Sequence, residues 1–140
     1  MTAVDIAERT SRVRAFGFLF LALLTCGVAV IVRNNPGSDF TQGLWFGLLF
    51  GCTLNLAPVK RWLRPNNAVV RLLEDEGARE NRRLSCVAGF WVATVVALAL
   101  FLAAHSDVAI GADAVTQIVA TAAMASAMLT FAFLELRAAR

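Results

Sequence analysis

Four stretches of the chain, 15–32, 42–59, 86–104 and 110–134, are almost free of charged side chains. Each approaches the ~20 residues that a helix rising ~1.5 Å per residue needs to cross ~30 Å of hydrocarbon, and the last is long enough to tilt. The second is the weakest of the four. In a bilayer each backbone N–H and C=O must be satisfied within its own segment, so apolar runs of this length predict helices. The expected fold is all-α: a polytopic membrane protein built as an antiparallel four-transmembrane-helix bundle. Composition agrees, since 59% of the 140 residues are hydrophobic, 16% are charged and the mean hydropathy is +0.67. A soluble domain of this size is far more polar.

Orientation follows from lysine and arginine. Arg9, Arg12 and Arg14 precede the first run; Lys60, Arg61, Arg64, Arg71, Arg79, Arg82 and Arg83 lie between the second and third; Arg137 and Arg140 follow the fourth. Four crossings put these three segments on one side, leaving only Arg33 on the other with Asp39, Asp107 and Asp113. The positive-inside bias then predicts cytoplasmic N- and C-termini and a cytoplasmic loop over about 60–85. The chain reads as one membrane domain over 1–140. The first run follows a basic segment as a signal peptide would, but "VAVIVRNNPG" has no small-x-small cleavage site, so an uncleaved span is expected.

The short connections "RNNPGSDF" and "HSDVAIGAD" are rich in turn-forming residues and imply helical hairpins. Cys26, Cys52 and Cys86 fall at different depths, too far apart for disulfides, and read as small apolar packers. With one histidine, no phosphate-binding glycine loop and no nucleophile elbow, no enzyme activity, metal or cofactor is expected. Asp113 and Gln117, near the outer end of the fourth run, read as an interfacial helix cap in preference to a cation site.

Within "GLWFGLLFG", Gly43, Gly47 and Gly51 recur every four residues. That spacing makes a flat groove on one helix face, continued by Asn55. In lipid no hydrophobic force drives helices together, and close backbone approach along such a groove makes association favourable. The expected partner is the fourth run, whose "VATAAMASAMLT" offers Ala122 and Ser126 among its small residues; a homo-oligomer seam is the alternative. In the loop, Lys60, Arg61, Trp62 and Arg64 suit the anionic headgroup layer of the bilayer. The segment "AVVRLLEDEGARENRR" reads as a short helix running on into the third span, with Glu80 and Arg83 one of its intrahelical pairs and Gly77 a candidate bend. Glu74, Asp75 and Glu76 with Arg79 read either as pairs along their own helix, with Arg79 and Arg83, or as a docking surface for a cytoplasmic or membrane protein partner. The basic residues are accounted for by topology and anionic lipid, and no nucleic acid is expected.

Two resemblances follow. The span count is similar to that of the small multidrug-resistance transporters, but their coupling uses a membrane-embedded glutamate in the first helix, where this chain has no acid. The run "EDEGARENRRLSCVAGFW", with its acidic patch, Arg pair and Gly-Phe-Trp opening a span, resembles small uncharacterised bacterial four-helix inner-membrane proteins. That resemblance implies a bacterial inner (cytoplasmic) membrane location and a regulatory role there. The expected function is therefore a non-enzymatic regulator or accessory subunit, with a small oligomeric transporter or channel as the alternative.

Overall fold

A computed structural model describes residues 3–35, 37–57, 76–105 and 110–138. These residues form four helices and no strand: α1 (Ala3–Asn34), α2 (Asp39–Leu56), α3 (Glu76–Ala104) and α4 (Ala112–Ala138). Three of them, over Arg9–Asn34, Gly77–Ala104 and Ala112–Ala138, are long and apolar enough to cross a membrane. The fourth, α2, has 18 residues, about 27 Å at ~1.5 Å per residue and thus slightly short of ~30 Å.

Local chemistry sets the ends of α2. Ser38 is its N-cap, with Oγ accepting from the Thr41 amide at 3.4 Å, and Asp39 places a carboxylate in the first turn where the helix dipole favours it. The helix stops at Leu56, three residues before the end of its apolar run. Ala57 is extended (φ −72°, ψ 147°), the conformation imposed on a residue that precedes proline, here Pro58. At the start of α3, Gly77 is helical in the first described turn, and its reading as a bend concerns the junction with residues that lie outside the described ones. The expected Glu80–Arg83 pair is present at 3.8 Å on an exposed face. The proposed loop helix over 66–75 lies outside the described residues.

The helices pack around α4. Its most extensive partners are α3 and α1, while α2 rests mainly on α1 and touches α4 over a smaller area. Phe18 meets Phe131, and the Gln117 Nε2 donates to the Ala29 carbonyl, so α1 and α4 run antiparallel. Trp45 packs with Val28 and Val32, and Thr25 meets Cys52, so α1 and α2 also run antiparallel. One end of the bundle carries Arg14, Arg82 and Arg137, and we call it the basic end; the other carries Arg33, Asp39 and Asp113.

The core lies in two clusters, around Phe18, Cys52, Met128 and Phe131 and around Val28, Val32 and Trp45. The exterior is strongly apolar, and a few polar groups lie inside. Phe16, Phe20, Leu23, Phe50, Phe90, Val95 and Leu102 are exposed, whereas Thr25, Ser85, Thr121 and Glu135 are buried. A surface of this kind is far larger than the apolar patches of soluble monomers.

Of the glycines in the described helices, Gly89 alone is closely approached, by α4. A Cβ added at Gly89 would stand 2.8 Å from the Ala123 carbonyl oxygen and 3.1 Å from the Ala127 Cβ. Only glycine fits there, because the obstacle is backbone. Gly89→Ala is therefore expected to destabilise the protein by about 1–3 kcal/mol through overpacking, whereas Gly47→Ala, with nothing within 4 Å, is expected to cost no more than about 0.5 kcal/mol. Titration of the detergent-solubilised variants with a denaturing detergent, followed by circular dichroism, checks the contrast. Equal stabilities would contradict the packing described.

Candidate functional site

The glycine face of α2 is where the sequence pointed, and it faces outward. Nothing lies within 4 Å of a Cβ placed at Gly43, Gly47 or Gly51. At 100° per residue, Gly43, Gly47 and Gly51 lie roughly 160–240° around α2 from the buried Trp45, Cys52 and Leu56. The expected contact of this groove with α4 is not formed, because α2 turns its aromatic and thiol side toward the chain. The result is an open lane of glycines, rimmed by Phe40 (79% exposed), Phe46 (64%) and Phe50 (68%). Asn55 is exposed and its Nδ2 donates to the Gly51 carbonyl of its own helix, at 3.0 Å. Ala122 and Ser126 are half-buried on α4, with the Ser126 Oγ donating to the Ala123 carbonyl. The α4 residue that bonds across to α2 is Thr121, whose Oγ1 accepts from the buried Trp45 indole at 3.1 Å.

The small residues of α4 do receive a glycine, but it is Gly89 of α3. Ser85, Gly89 and Ala93 repeat at four-residue spacing on α3 and would have been visible as a small-residue stripe. The triple glycine of α2 overshadowed them.

An ion pair missed at the sequence level ties α1 to α4 at the basic end. Arg14 Nη2 stands 3.5 Å from Glu135 Oε1, and the Ser11 hydroxyl donates to Glu135 Oε2. The Arg14 guanidinium lies 4.6 Å from the centre of the Phe131 ring, adding a cation–π contact. Ser11, Arg14 and Phe18 follow helical spacing on α1, as Phe131 and Glu135 do on α4, so the two faces mesh over two turns. The available signal was a lone acid, Glu135, among the basic residues that follow the fourth run. The expected span ends at Leu134, one residue short of it, whereas α4 continues to Ala138.

At the opposite end Val32, Arg33, Gln42, Trp45, Asp113 and Gln117 border a pocket of about 330 Å³. Asp113 is exposed in the first turn of α4, and Gln117 is committed to the Ala29 carbonyl. His105 follows the last residue of α3, with Nδ1 2.9 Å from the Phe101 carbonyl oxygen. The three cysteines are free; Cys52 is buried and touches Thr25, while Cys26 and Cys86 are exposed. The Thr25 hydroxyl proton already goes to the Leu21 carbonyl, so the Cys52 thiol is the donor of that contact.

Of the expected loop residues, Lys60, Arg61, Trp62, Arg64, Glu74 and Asp75 lie outside the described residues. Glu76 opens α3 without a described side chain, and Arg79 is exposed. Compared with known proteins, the chain matches no family model, no curated sequence and no solved structure.

The ion pair generates a prediction. Glu135 is 8% exposed and Arg14 25%, so the pair is neither fully dry nor freely solvated. Glu135→Ala is expected to cost about 1–3 kcal/mol, below the 3–5 kcal/mol of a fully buried pair. Arg14→Leu combined with Glu135→Leu is expected to recover most of that loss. Thermal unfolding in detergent micelles measures both, and a double variant no more stable than the single one would contradict the account.

Proposed function

We propose that the protein is a polytopic membrane protein with four antiparallel spans, placed in a bacterial inner membrane with both termini cytoplasmic. In this reading it is a non-enzymatic accessory or scaffold subunit that docks a further transmembrane helix on the glycine lane of α2. The carrying observation is that Gly43, Gly47 and Gly51 lie opposite the buried face of their helix, with open space above each. In lipid the exposed leucines and phenylalanines elsewhere cost nothing, since hydrocarbon meets them as well as protein does. A glycine lane is different, because it lets two backbones approach closely and gain dispersion contacts that lipid chains fit poorly.

Three further observations support the reading. The exterior is apolar around the bundle, the basic residues cluster on one side by sequence, and α2, the shortest helix, uses only one face within its own chain. The docked helix comes from a second copy of the chain or from another membrane protein. Glu74, Asp75, Glu76 and Arg79 stay a proposed contact for a partner's cytoplasmic portion.

A small oligomeric transporter or channel is the second reading. It rests on the 330 Å³ pocket in which Arg33 and Asp113 present opposite charges without pairing to each other. Substrate-dependent uptake into proteoliposomes would favour it over the scaffold.

The test is association. Gly47→Leu is expected to abolish crosslinking through a photoreactive residue at position 44, in native membranes, while leaving detergent-state stability within about 0.5 kcal/mol of the parent. A crosslink at twice the chain mass identifies a second copy, and another mass identifies a different protein. An unchanged crosslink, or no crosslink from the parent, would overturn the docking reading.

A further inference from the structure

On the other side of α2 from the glycine lane, an elongated groove opens between α2 and α3 with α4 as its floor. Its volume is about 640 Å³. Leu49 and Leu56 of α2 form one wall, Phe90 and Ala93 of α3 the other, and Ala120 and Met124 of α4 line the bottom. Apart from Thr53 on the α2 wall, the lining is apolar except at one end, where Arg82 borders it at the basic end of the bundle. Arg82 is half-buried, and among the described residues no carboxylate pairs with it; Glu80 is engaged with Arg83 instead.

We propose that this groove binds one acyl chain of an anionic phospholipid, whose phosphate pairs with Arg82. The inference rests on the membrane placement proposed above, but not on the docking of a partner helix. Three observations select this occupant.

The first is depth. From Arg82 to Ala93 is eleven residues, about 16 Å at ~1.5 Å per residue, which is close to half of the ~30 Å hydrocarbon layer. The groove therefore spans one leaflet. A transmembrane helix needs the whole thickness.

The second is lining. Apart from Thr53 and Arg82, the residues that line the groove are apolar, and Gly89 with the alanines of α3 and α4 leaves room between the larger side chains of its walls. Such a lining suits flexible hydrocarbon.

The third is charge. A half-buried guanidinium beside hydrocarbon is costly without an anion, and guanidinium is the side chain best matched to phosphate, which it can bind in a bidentate manner. Its position at the basic end puts it at the headgroup level of the same leaflet whose acyl chains reach the groove.

The small residues give the groove its depth. Gly89, Ala93, Ala120, Ala123 and Ala127 leave the floor low, and the close α3–α4 approach at Gly89 keeps α3 from turning a larger side chain into the space.

Native mass spectrometry of the full-length, detergent-purified protein tests the proposal, with phosphatidylglycerol, phosphatidylcholine of the same acyl chains, and palmitate each titrated separately. The expected result is one retained phosphatidylglycerol with at least a roughly tenfold preference over phosphatidylcholine. Arg82→Gln should abolish that preference and leave weak, equal binding of both lipids; Arg82→Lys should keep part of it. Thr53→Phe, from an exposed position on the groove wall, should lower the retention of both lipids at least fivefold while preserving the helical spectrum. Equal binding of the two phospholipids to the parent, or an Arg82→Gln variant with its preference intact, would overturn the proposal. So would palmitate binding in preference to phosphatidylglycerol, which would assign the groove to a free fatty acid, or a dimer dissociated by Thr53→Phe with no lipid retained, which would assign it to a second copy. Recovery of the protein in the soluble fraction without detergent would instead refute the membrane placement itself.

Discussion

The bundle depends on the close approach of α3 to α4 at Gly89. In lipid, helices gain nothing by hiding leucines from one another, so what holds them is dispersion between surfaces that fit and hydrogen bonds that would otherwise go unmade. A backbone carbonyl at Ala123 under a glycine is the one such fit among the glycines of the described helices. It brings α3 into register with the small-residue face of α4, while the large side chains of α4, Met128 and Phe131, turn toward α1. One helix thus serves two neighbours by dividing its circumference between small and large residues.

Register along the bundle is set by polar ties, one or more at each level. Arg14 and Ser11 meet Glu135 at the basic end, Thr25 meets Cys52 midway, and Trp45 with Thr121 and Gln117 with the Ala29 carbonyl lie toward the opposite end. Apolar knobs are nearly interchangeable, so sliding one helix by a turn, about 5.4 Å, would cost them little. The same slide would leave every one of these polar groups without its partner. Each tie is individually modest, since interhelical hydrogen bonds in membranes average about 0.6 kcal/mol. Acting at different depths, they still discriminate against shifted packings.

The helical content and the position of three of the four segments were legible from hydropathy alone, because a long charge-free run has few other folds. The ends were less so. Pro58 announced the early stop of α2, yet the apolar count carried the run on to Val59. The identity of the packing glycine was not legible, because Gly43, Gly47 and Gly51 satisfy the same spacing rule as the small residues around Gly89. Periodicity says which residues share a face and is silent on which way that face turns. What settles the direction is the other side of the helix: Trp45 needs a hydrogen-bond acceptor for its indole, Thr121 supplies one, and the glycines are carried outward as a consequence. The Arg14–Glu135 pair escaped for a related reason, since each residue lies just outside an apolar run and only the three-dimensional pairing of α1 with α4 joins them.

The way α2 is held also explains how one short helix presents two different surfaces. Trp45, Cys52 and Leu56 consume about a third of its circumference against α1 and α4. Leu49 and Thr53 face the groove toward α3, and the glycines lie roughly 150° further round at 100° per residue. A ligand in the groove therefore does not cover the lane, and a helix on the lane does not reach the groove. The two surfaces also differ in kind: the lane runs over Gly43–Gly51 with backbone exposed for close approach, whereas the groove is bounded by side chains and, among the described residues that line it, is charged only at Arg82. A surface that rewards backbone proximity selects a rigid helix, and an apolar channel with a cation at its mouth selects a flexible anionic amphiphile. The separation of these two chemistries on opposite flanks of α2 follows from the single choice to bury its tryptophan.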